Sequence, residues 1–289
     1  MLNNITSSEE SKLIIEAKPE NYDQIASFLN ENNQIHRHLD WFGTLDWLGY
    51  QPYLLLMDKK KINAVLCATA ENEESAWIRT FVAKKKLPLD ETWRRLLSKA
   101  IINLKEKKIN QLAALALHNW FEGLLSISGF KHRQNIVVLE WGGKLPPKEI
   151  KNPDIEIRPM NLADLPEVHD LDKLAFRQLW QNSLAGLTKA YEQPGISTVA
   201  VCQGKIVGYQ ISTSMTIYGH LARLAVHPEY QHKGIASNLV YDLLRQFDQQ
   251  GFWRVTVNTQ SDNSPSLKLY DHFGFEPTGE EIPVYKLNL

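Results

Sequence analysis

The chain has 289 residues, which is more than an average single domain, so we expect two domains. Its hydrophobic content of 43% is ordinary for a globular protein, and its net charge of −1 favours neither nucleic acid nor an anionic membrane as a partner. We find no secretory signal pattern at the N-terminus and no apolar run as long as a membrane span. Cys67 and Cys202 stand alone, one in each half, so we expect free thiols and a cytoplasmic location.

Hydrophobic periodicity and turn residues predict a mixed α/β order in the first half. The predicted strands cover 12–16, 77–82, 111–117 and 135–141, a hairpin covers 52–69, and the predicted helices cover 22–29, 90–107 and 120–128. Asp90 is the expected N-cap of the longest helix. Residues 142–152, GGKLPPKEIKN, have the composition of a linker. We therefore predict a first domain at 1–142, a linker at 143–152 and a second domain at 153–289.

A segment rich in aromatic residues precedes the predicted hairpin. His36, His38 and Asp40 occupy alternate positions in it, which invites a metal hypothesis. No further cluster of strong ligands lies nearby, and the neighbours are apolar, so we favour packing and expect no metal. The same segment contributes aromatic side chains that we expect in a core or between domains, namely Trp41, Phe42, Trp47 and Tyr50.

The second half repeats the order of the first. Its predicted strands cover 155–158, 197–202, 205–214, 252–257 and 284–289, and its predicted helices cover 162–176, 237–250 and 265–273, with 179–191 as a helix or ordered loop. Each half ends with a helix, a Gly-Phe pair (Gly129-Phe130 and Gly274-Phe275) and an apolar strand. The sequence therefore predicts two copies of one α/β unit.

One stretch of the second half predicts an anion site. Residues 221–247, LARLAVHPEYQHKGIASNLVYDLLRQF, have the pattern of a strand, a tight turn and an amphipathic helix. Gly234 and Ala236 keep the turn free of large side chains. Several backbone N–H groups can therefore point outward at a helix N-terminus, where the dipole favours a phosphate.

The same stretch resembles a known family. Residues 224–236, LAVHPEYQHKGIA, are similar to motif A of the GNAT acetyltransferase superfamily. The resemblance implies an α/β fold of two tandem GNAT-like domains, each a mixed, mostly antiparallel twisted sheet flanked by helices. It also implies acetyl-CoA as co-substrate and an amine acceptor. The residues implied to bind acetyl-CoA are Leu224, Ala225, Val226, Gln231, His232, Lys233, Gly234, Ile235, Ala236, Ser237 and Asn263.

A second motif supports the resemblance. Residues 263–275, NSPSLKLYDHFGF, resemble motif B of the family, in which Asn263 matches the residue that binds the pantetheine. Tyr270 matches the tyrosine that protonates the leaving thiolate, and a phenol that is neutral at pH 7 suits a general acid. Counted back from Gly129, the equivalent residue of the first half is Leu125, which has no proton to give.

The general base stays open at the level of sequence. Some family members carry a Glu where this chain has Asn258, and an amide cannot accept the proton at neutral pH. His220 is the alternative, because the arylalkylamine acetyltransferases place a histidine at that distance before a similar motif. Strand alternation predicts that His220 and Ala222 share a face. Glu229 and a water relay are further candidates.

The first half lacks the anion turn. Its corresponding segment, AKKKLPLDE, contains no glycine and includes a proline that removes one N–H donor, so we expect a degenerate GNAT-like copy. In the family, the first two helices and their loop form the acceptor pocket. The candidate wall residues here are Phe176, Trp180, Gln181 and Tyr191.

We therefore expect an acetyl-CoA-dependent N-acetyltransferase that transfers an acetyl group directly to an amine. The alternatives are a CoA-binding regulatory module without turnover and an aminoacyl transferase of the Fem type, against which the near-neutral charge argues. The sequence leaves the acceptor open, and it leaves the oligomeric state open, a homodimer included.

Overall fold

The computed structural model describes residues 12–31, 33–70, 72–143, 145, 154–216 and 218–289. The chain divides into two compact units, which we call the first unit (up to Arg133, with Pro283–Leu289) and the second unit (Gln134–Ile282). These limits differ from the predicted ones, since residues 134–141 belong to the second unit and Pro283–Leu289 belong to the first. The predicted linker, except Gly143 and Leu145, lies outside the described residues.

The first unit contains a five-stranded antiparallel sheet in the order β1-β3-β4-β6-β2 and a short parallel pair, β5 and β7. The strands are β1 (Lys12–Glu16), β2 (Gln34–Arg37), β3 (Tyr53–Asp58), β4 (Lys61–Cys67), β5 (Ser75–Trp77), β6 (Thr80–Ala83) and β7 (Gln111–Leu115), and β8 (Lys131–Trp141) begins there. The helices are α1 (Tyr22–Leu29), α2 (Leu89–Glu106) and α3 (Asn119–Ile127).

Alternate residues of β3 pack into two different cores. Leu54 and Leu56 lie in the cluster with α2, whereas Tyr53 and Leu55 lie in the cluster with α1. Both faces of this strand are therefore buried, which explains its continuous apolar run. The long helix α2 begins at Leu89 with Pro88 as N-cap residue, so the prediction of Asp90 as the cap is wrong.

Strand β2 was not predicted from the sequence, and the predicted strand 77–82 is divided into β5 and β6. β2 pairs antiparallel with β6, with Gln34 opposite Ala83 and Arg37 opposite Thr80. Its length of four residues is too short for a readable alternation. As a result, β6 has a strand on each of its edges, β4 on one and β2 on the other.

The aromatic-rich segment packs as expected. His36 is fully buried and stacks on Phe121 with ring centroids 3.8 Å apart. Asp40 accepts an ion-paired hydrogen bond of 2.8 Å from Arg79. Trp47 is 3% exposed and lies in the core with α1. These contacts support the packing interpretation of the segment.

The second unit repeats the strand order of the first. The new strands are β9 (Ile155–Pro159), β10 (Ser197–Cys202), β11 (Lys205–Met215), β12 (Tyr218–Val226), β13 (Arg254–Gln260) and β14 (Glu276–Asn288). Their order in the sheet is β9-β10-β11-β12-β13-β8. Strands β9, β10 and β11 correspond to β1, β3 and β4, and β12 alone corresponds to β5 and β6 together. The helices are α4 (Leu165–Ala175), α5 (Leu184–Tyr191), α6 (Ile235–Gln249) and α7 (Ser264–His272).

Strand β12 has partners on both edges for only part of its length. It pairs antiparallel with β11 up to Val226 but runs parallel to β13 only from Tyr218 to Leu221. Gly219 lets this paired part approach α6, because a Cβ there would lie 2.6 Å from the Phe247 ring. A bulge shifts the register next to Ala222, so the prediction from strict alternation that His220 and Ala222 share a face loses its basis.

Three further observations concern the cysteines, the lengths of the helices and the metal-ligating side chains. Both Cys67 and Cys202 are free cysteines. No helix in the described ranges is long and apolar enough to cross a membrane. Within those ranges, no three side chains of His, Cys, Asp or Glu form a group that could hold a metal ion.

Candidate active site

A cleft of about 690 Å³ opens in the second unit where β12 and β13 separate. Its walls come from the end of β12, the turn before α6, the start of α7 and the segment after α4. The lining residues are Gln134, Ala175, Phe176, Arg177, Trp180, Leu224, Ala225, Val226, Tyr230, Gln231, His232, Gly234, Ile235, Ala236, Ser237, Gln260, Asp262, Asn263, Pro265, Ser266 and Leu269.

The main chain of β12 forms one wall of the cleft. Leu224, Ala225 and Val226 line it, and in the described structure their recorded strand partner is β11 alone. Every second residue of a strand points its N–H and C=O groups toward the same edge. The edge of β12 that faces the cleft therefore offers backbone groups to an extended ligand.

The turn before α6 presents N–H groups to the same cleft. A short 3₁₀ turn at Pro228–Tyr230 leads to His232 and Gly234, which have positive φ values of 60° and 77°. α6 begins at Ile235, and the first N–H groups of a helix have no acceptor within it. Because the helix dipole also favours negative charge, this turn suits a phosphate group.

Two side chains of the turn have separate roles. Gln231 donates from Nε2 to the Val226 carbonyl at 3.3 Å, so its side chain ties the turn to the end of β12. Lys233 does not line the cleft, and its Nζ lies 4.7 Å from the centre of the Tyr230 ring. Of the predicted acetyl-CoA residues, all except Lys233 line the cleft.

Asn263 closes the cleft at the start of α7. As the N-cap residue, its Oδ1 accepts from the Ser266 N–H at 3.3 Å, and its Nδ2 donates to Thr259 Oγ1 at 3.3 Å. These bonds fix the amide in the cleft wall, beside Pro265 and Ser266.

Tyr270 is buried behind the cleft wall. It lies on α7, is 4% exposed and packs with Phe275 at 5.5 Å between ring centroids. It is not among the residues that line the cleft, although Ser266 and Leu269 of the same helix are. Burial raises the pKa of Tyr270, so its phenol stays protonated at neutral pH.

His220 is half-buried on the part of β12 that still pairs with β13. Its Nδ1 lies 2.9 Å from Thr256 Oγ1, directly across the strand pair. Burial lowers the pKa of His220 below its usual 6.5, so the imidazole is neutral at pH 7 and can accept a proton. The residue does not line the cleft, and neither does Glu229.

The acceptor-wall candidates divide into two groups. Phe176 and Trp180 line the cleft. Gln181 does not, because its Nε2 donates to the carbonyls of Lys173 and Phe176. Tyr191 does not either, because its hydroxyl donates to the Met160 carbonyl at 3.3 Å. The prediction of these last two as wall residues is therefore not supported by the geometry.

A buried charged network beside the cleft residues Phe176 and Trp180 was not predicted from the sequence. Asp172 of α4 accepts hydrogen bonds from Arg223 of β12 and from the Tyr209 hydroxyl of β11. Burial raises the pKa of Tyr209, which keeps its hydroxyl protonated as a donor. Asp172 and Arg223 are 51 positions apart, so no local pattern joins them. A buried Asp inside an otherwise amphipathic helix was the only available signal.

Parts of the chain are similar to known proteins. Residues 165–275 match the model of the acetyltransferase (GNAT) family. The chain is 30% identical over 110 residues to the spore coat polysaccharide biosynthesis protein SpsD of Bacillus subtilis, covering 38% of this chain and 35% of that protein. It is 27% identical over 90 residues to N-alpha-acetyltransferase 30 of Schizosaccharomyces pombe, covering 29% of this chain and 60% of that protein.

Both matches span less than two thirds of the relatives' own length. A solved tandem GNAT protein from the clavulanic acid biosynthesis pathway has the same fold, with a TM-score of 0.65, 13% identity and coverage of 96% of this chain and 98% of that one. The predicted fold class and tandem arrangement are therefore confirmed. Residues 165–275 match the GNAT acetyltransferase family, and the chain as a whole has the fold of a tandem GNAT protein.

Proposed function

We propose that this protein is an acetyl-CoA-dependent N-acetyltransferase that transfers an acetyl group directly to an amine in the cleft of the second unit. One observation carries the proposal. The uncovered backbone edge at Leu224–Val226 leads into the Gly234 turn at the start of α6, and both line one cleft. An extended amide-bearing arm and a pyrophosphate match these two surfaces in that order.

The residues would divide the work as follows. The main chain of β12 and Asn263 would hold the pantetheine arm, and the amides of the turn would hold the pyrophosphate. The amine nitrogen attacks the thioester carbonyl, the C–N bond forms, and the C–S bond breaks. Tyr270 would give its proton to the departing sulfur, and His220 would take, through water, the proton that the amine loses. Most of the rate enhancement would come from positioning the two reactants together.

The side chains that line the cleft also favour one class of acceptor amine. Its acceptor side contributes the aromatic rings of Phe176 and Trp180 and the cation of Arg177, and the carboxylate among its lining residues is Asp262. A polyamine acceptor needs several carboxylates to match its charges. We therefore favour an amine with a flat or apolar body over a polycation.

The burial of Tyr270 away from the cleft lining keeps a second candidate open. A CoA-binding module without turnover would have the same β12 edge and the same turn but would need no proton donor. The regulatory module would therefore bind CoA as the enzyme does but would not catalyse acetyl transfer.

The test combines thiol release and thermal unfolding. Free thiol is followed from acetyl-CoA with an aralkylamine, a polyamine, an amino sugar and a short peptide with a free N-terminus. We expect CoA to raise the melting temperature and at least one amine to release thiol. A shift without release on any amine would favour the regulatory module, and no shift with CoA would reject both.

A further inference from the structure

The carboxylate of Asp172 is fully buried, and its charge is matched by donors. The Arg223 guanidinium donates to Oδ2 from Nη2 at 2.6 Å and from Nε at 2.9 Å. The Tyr209 hydroxyl donates to the same oxygen, and the Asn182 N–H donates to Oδ1 at 3.0 Å. The carboxylate therefore joins α4, β11, β12 and the segment after α4 in a single polar cluster.

Arg223 also contacts the acceptor side of the cleft. Its Nη2 donates to the Trp180 carbonyl at 2.7 Å, and its guanidinium carbon lies 3.5 Å from the centre of the Phe176 ring. Phe176 and Trp180 both line the cleft, whereas Arg223 does not. One guanidinium thus touches the ring of one wall residue and the main chain of another.

A contribution to folding stability does not by itself explain the buried ion pair of Asp172 and Arg223. A buried ion pair is often no more stabilising than apolar residues of similar volume, because desolvation offsets the attraction. A guanidinium, however, presents donors in a fixed plane and a flat face for stacking, which an ammonium does not. Arg223 directly precedes Leu224, the first residue of the cleft wall on β12. The residue is therefore suited to fixing one wall relative to the other.

We propose that Arg223 is a positioning residue that holds the segment 176–182 against β12 and so sets the acceptor wall of the cleft. It acts through Phe176 and Trp180 and touches neither acetyl-CoA nor the amine. The meaning of this wall as an acceptor site rests on the function proposed above. The contact of Arg223 with the segment 176–182 is a property of the fold and can be tested without measuring catalysis.

The test compares two variants of the full chain, each with one Arg→Lys substitution in the second unit. Arg223→Lys keeps a cation for Asp172 but removes the flat face over Phe176 and the fork that also reaches Trp180. Arg158→Lys is the matched control, because Arg158 makes a similar two-pronged pair with Asp164, at 2.7 and 2.9 Å, and does not line the cleft. Each variant is measured by amide hydrogen exchange at residues 176–183, by calorimetric Kd for acetyl-CoA, and by KM and kcat for the most active amine of the panel.

We expect Arg223→Lys to speed amide exchange at Trp180 and Gln181 by about tenfold or more and to raise the amine KM by a similar factor. The Kd for acetyl-CoA should stay within about threefold, and Arg158→Lys should change none of these quantities. Unchanged exchange in 176–183, or an equal loss of amine and acetyl-CoA affinity, would overturn the proposal.

A second variant covers the case in which Arg223→Lys does not fold. Phe176→Leu leaves the ion pair with Asp172 intact and removes only the stacked ring. We expect it to raise the amine KM while acetyl-CoA binding persists. An unchanged KM would contradict the proposed positioning role of Arg223. If no amine is acetylated at all, the proposed function fails, and the exchange measurement still decides on the positioning role.

Discussion

The two units treat the same strand edge in opposite ways. In the second unit, the edge of β12 at Leu224–Val226 is left uncovered beside the cleft, and a turn with Gly234 follows. In the first unit, β2 pairs with the corresponding edge of β6 from Thr80 to Ala83, and Pro88 precedes the helix. The first unit therefore fills with its own chain the place where the second unit would receive a ligand.

The contrast continues in the helix that follows. Tyr270 of α7 and Leu125 of α3 hold equivalent places, and both are buried in the core of their unit. Core packing at this position requires only a large apolar side chain, whereas proton transfer also requires a hydroxyl group. A copy can thus lose the chemistry at this position and keep its core, which is consistent with our proposal that the first unit is degenerate.

The largest expected effect comes from crowding the uncovered turn. Gly234→Glu places a carboxylate where the pyrophosphate would bind, in a backbone conformation with φ of 77°. We expect the loss of measurable acetyl-CoA binding in calorimetry, and one bound acetyl-CoA per chain in the unaltered protein. Repulsion between two anions in a confined site is the physical reason.

Gly251→Glu is the control for that variant. Gly251 follows the other end of α6, has φ of 80°, and a Cβ there would meet no atom within 4 Å. Both variants should lose roughly 1–2 kcal/mol of stability from the left-handed conformation. If Gly251→Glu abolished binding as well, or if two acetyl-CoA molecules bound per chain, the contrast between the units would be broken.

The next effect sharpens the comparison of Tyr270 with Leu125. Tyr270→Phe should lower kcat by about 10³-fold, within the usual range for the loss of a general acid, and leave the Kd for acetyl-CoA unchanged. Tyr241→Phe serves as control, because it removes a phenol hydroxyl from a different helix, α6, that packs against the same core. Equal turnover of the two variants would remove Tyr270 from the mechanism.

The pH dependence tests His220. Burial holds the pKa of His220 below 6.5, so the neutral base predominates at pH 7 and is lost as the pH falls through that lowered value. The rate should therefore fall on the acid side of 6.5. His220→Gln should lower kcat by about 10²-fold and abolish this acid limb. An identical pH profile in the variant would assign the proton transfer to another group.

The smallest effect concerns the strand that covers β6. Burial, with a smaller contribution from His118, lowers the pKa of His36 in β2 from 6.5 to about 3. The unfolded chain therefore binds a proton more readily than the folded chain, and stability falls as the pH drops from about 6.5 toward 3. Between pH 7 and pH 5 this amounts to about 2 kcal/mol.

His36→Phe should remove that loss. Neither ring nitrogen of the buried His36 makes a hydrogen bond of normal geometry, so an apolar ring of similar shape stacked on Phe121 costs little at pH 7. Urea unfolding at pH 7 and pH 5 checks the difference between variant and parent. The same pH dependence in both proteins would contradict a buried neutral His36.

Sequence patterns reached the repeated fold and the anion turn because both are local. The hairpin around Gln203-Gly204 and the turn at Gly234 have short signatures that fix backbone geometry. β2 escaped because only its distant pairing with β6 makes it a strand. The pair of Asp172 and Arg223 escaped for the same reason, and the bulge next to Ala222 defeated an argument from alternation. The features that the sequence did not predict are those that depend on tertiary contacts.

The uncovered edge of β12 has a consequence for the handling of the protein. Unpaired strand edges can template pairing between chains, and proteins protect them with short or charged neighbours. β2, with the exposed Arg37 at its end, gives β6 that protection permanently. β12 would gain it only when a ligand lies along Leu224–Val226. We therefore expect the protein without acetyl-CoA to self-associate sooner on storage, as light scattering with and without the ligand would reveal.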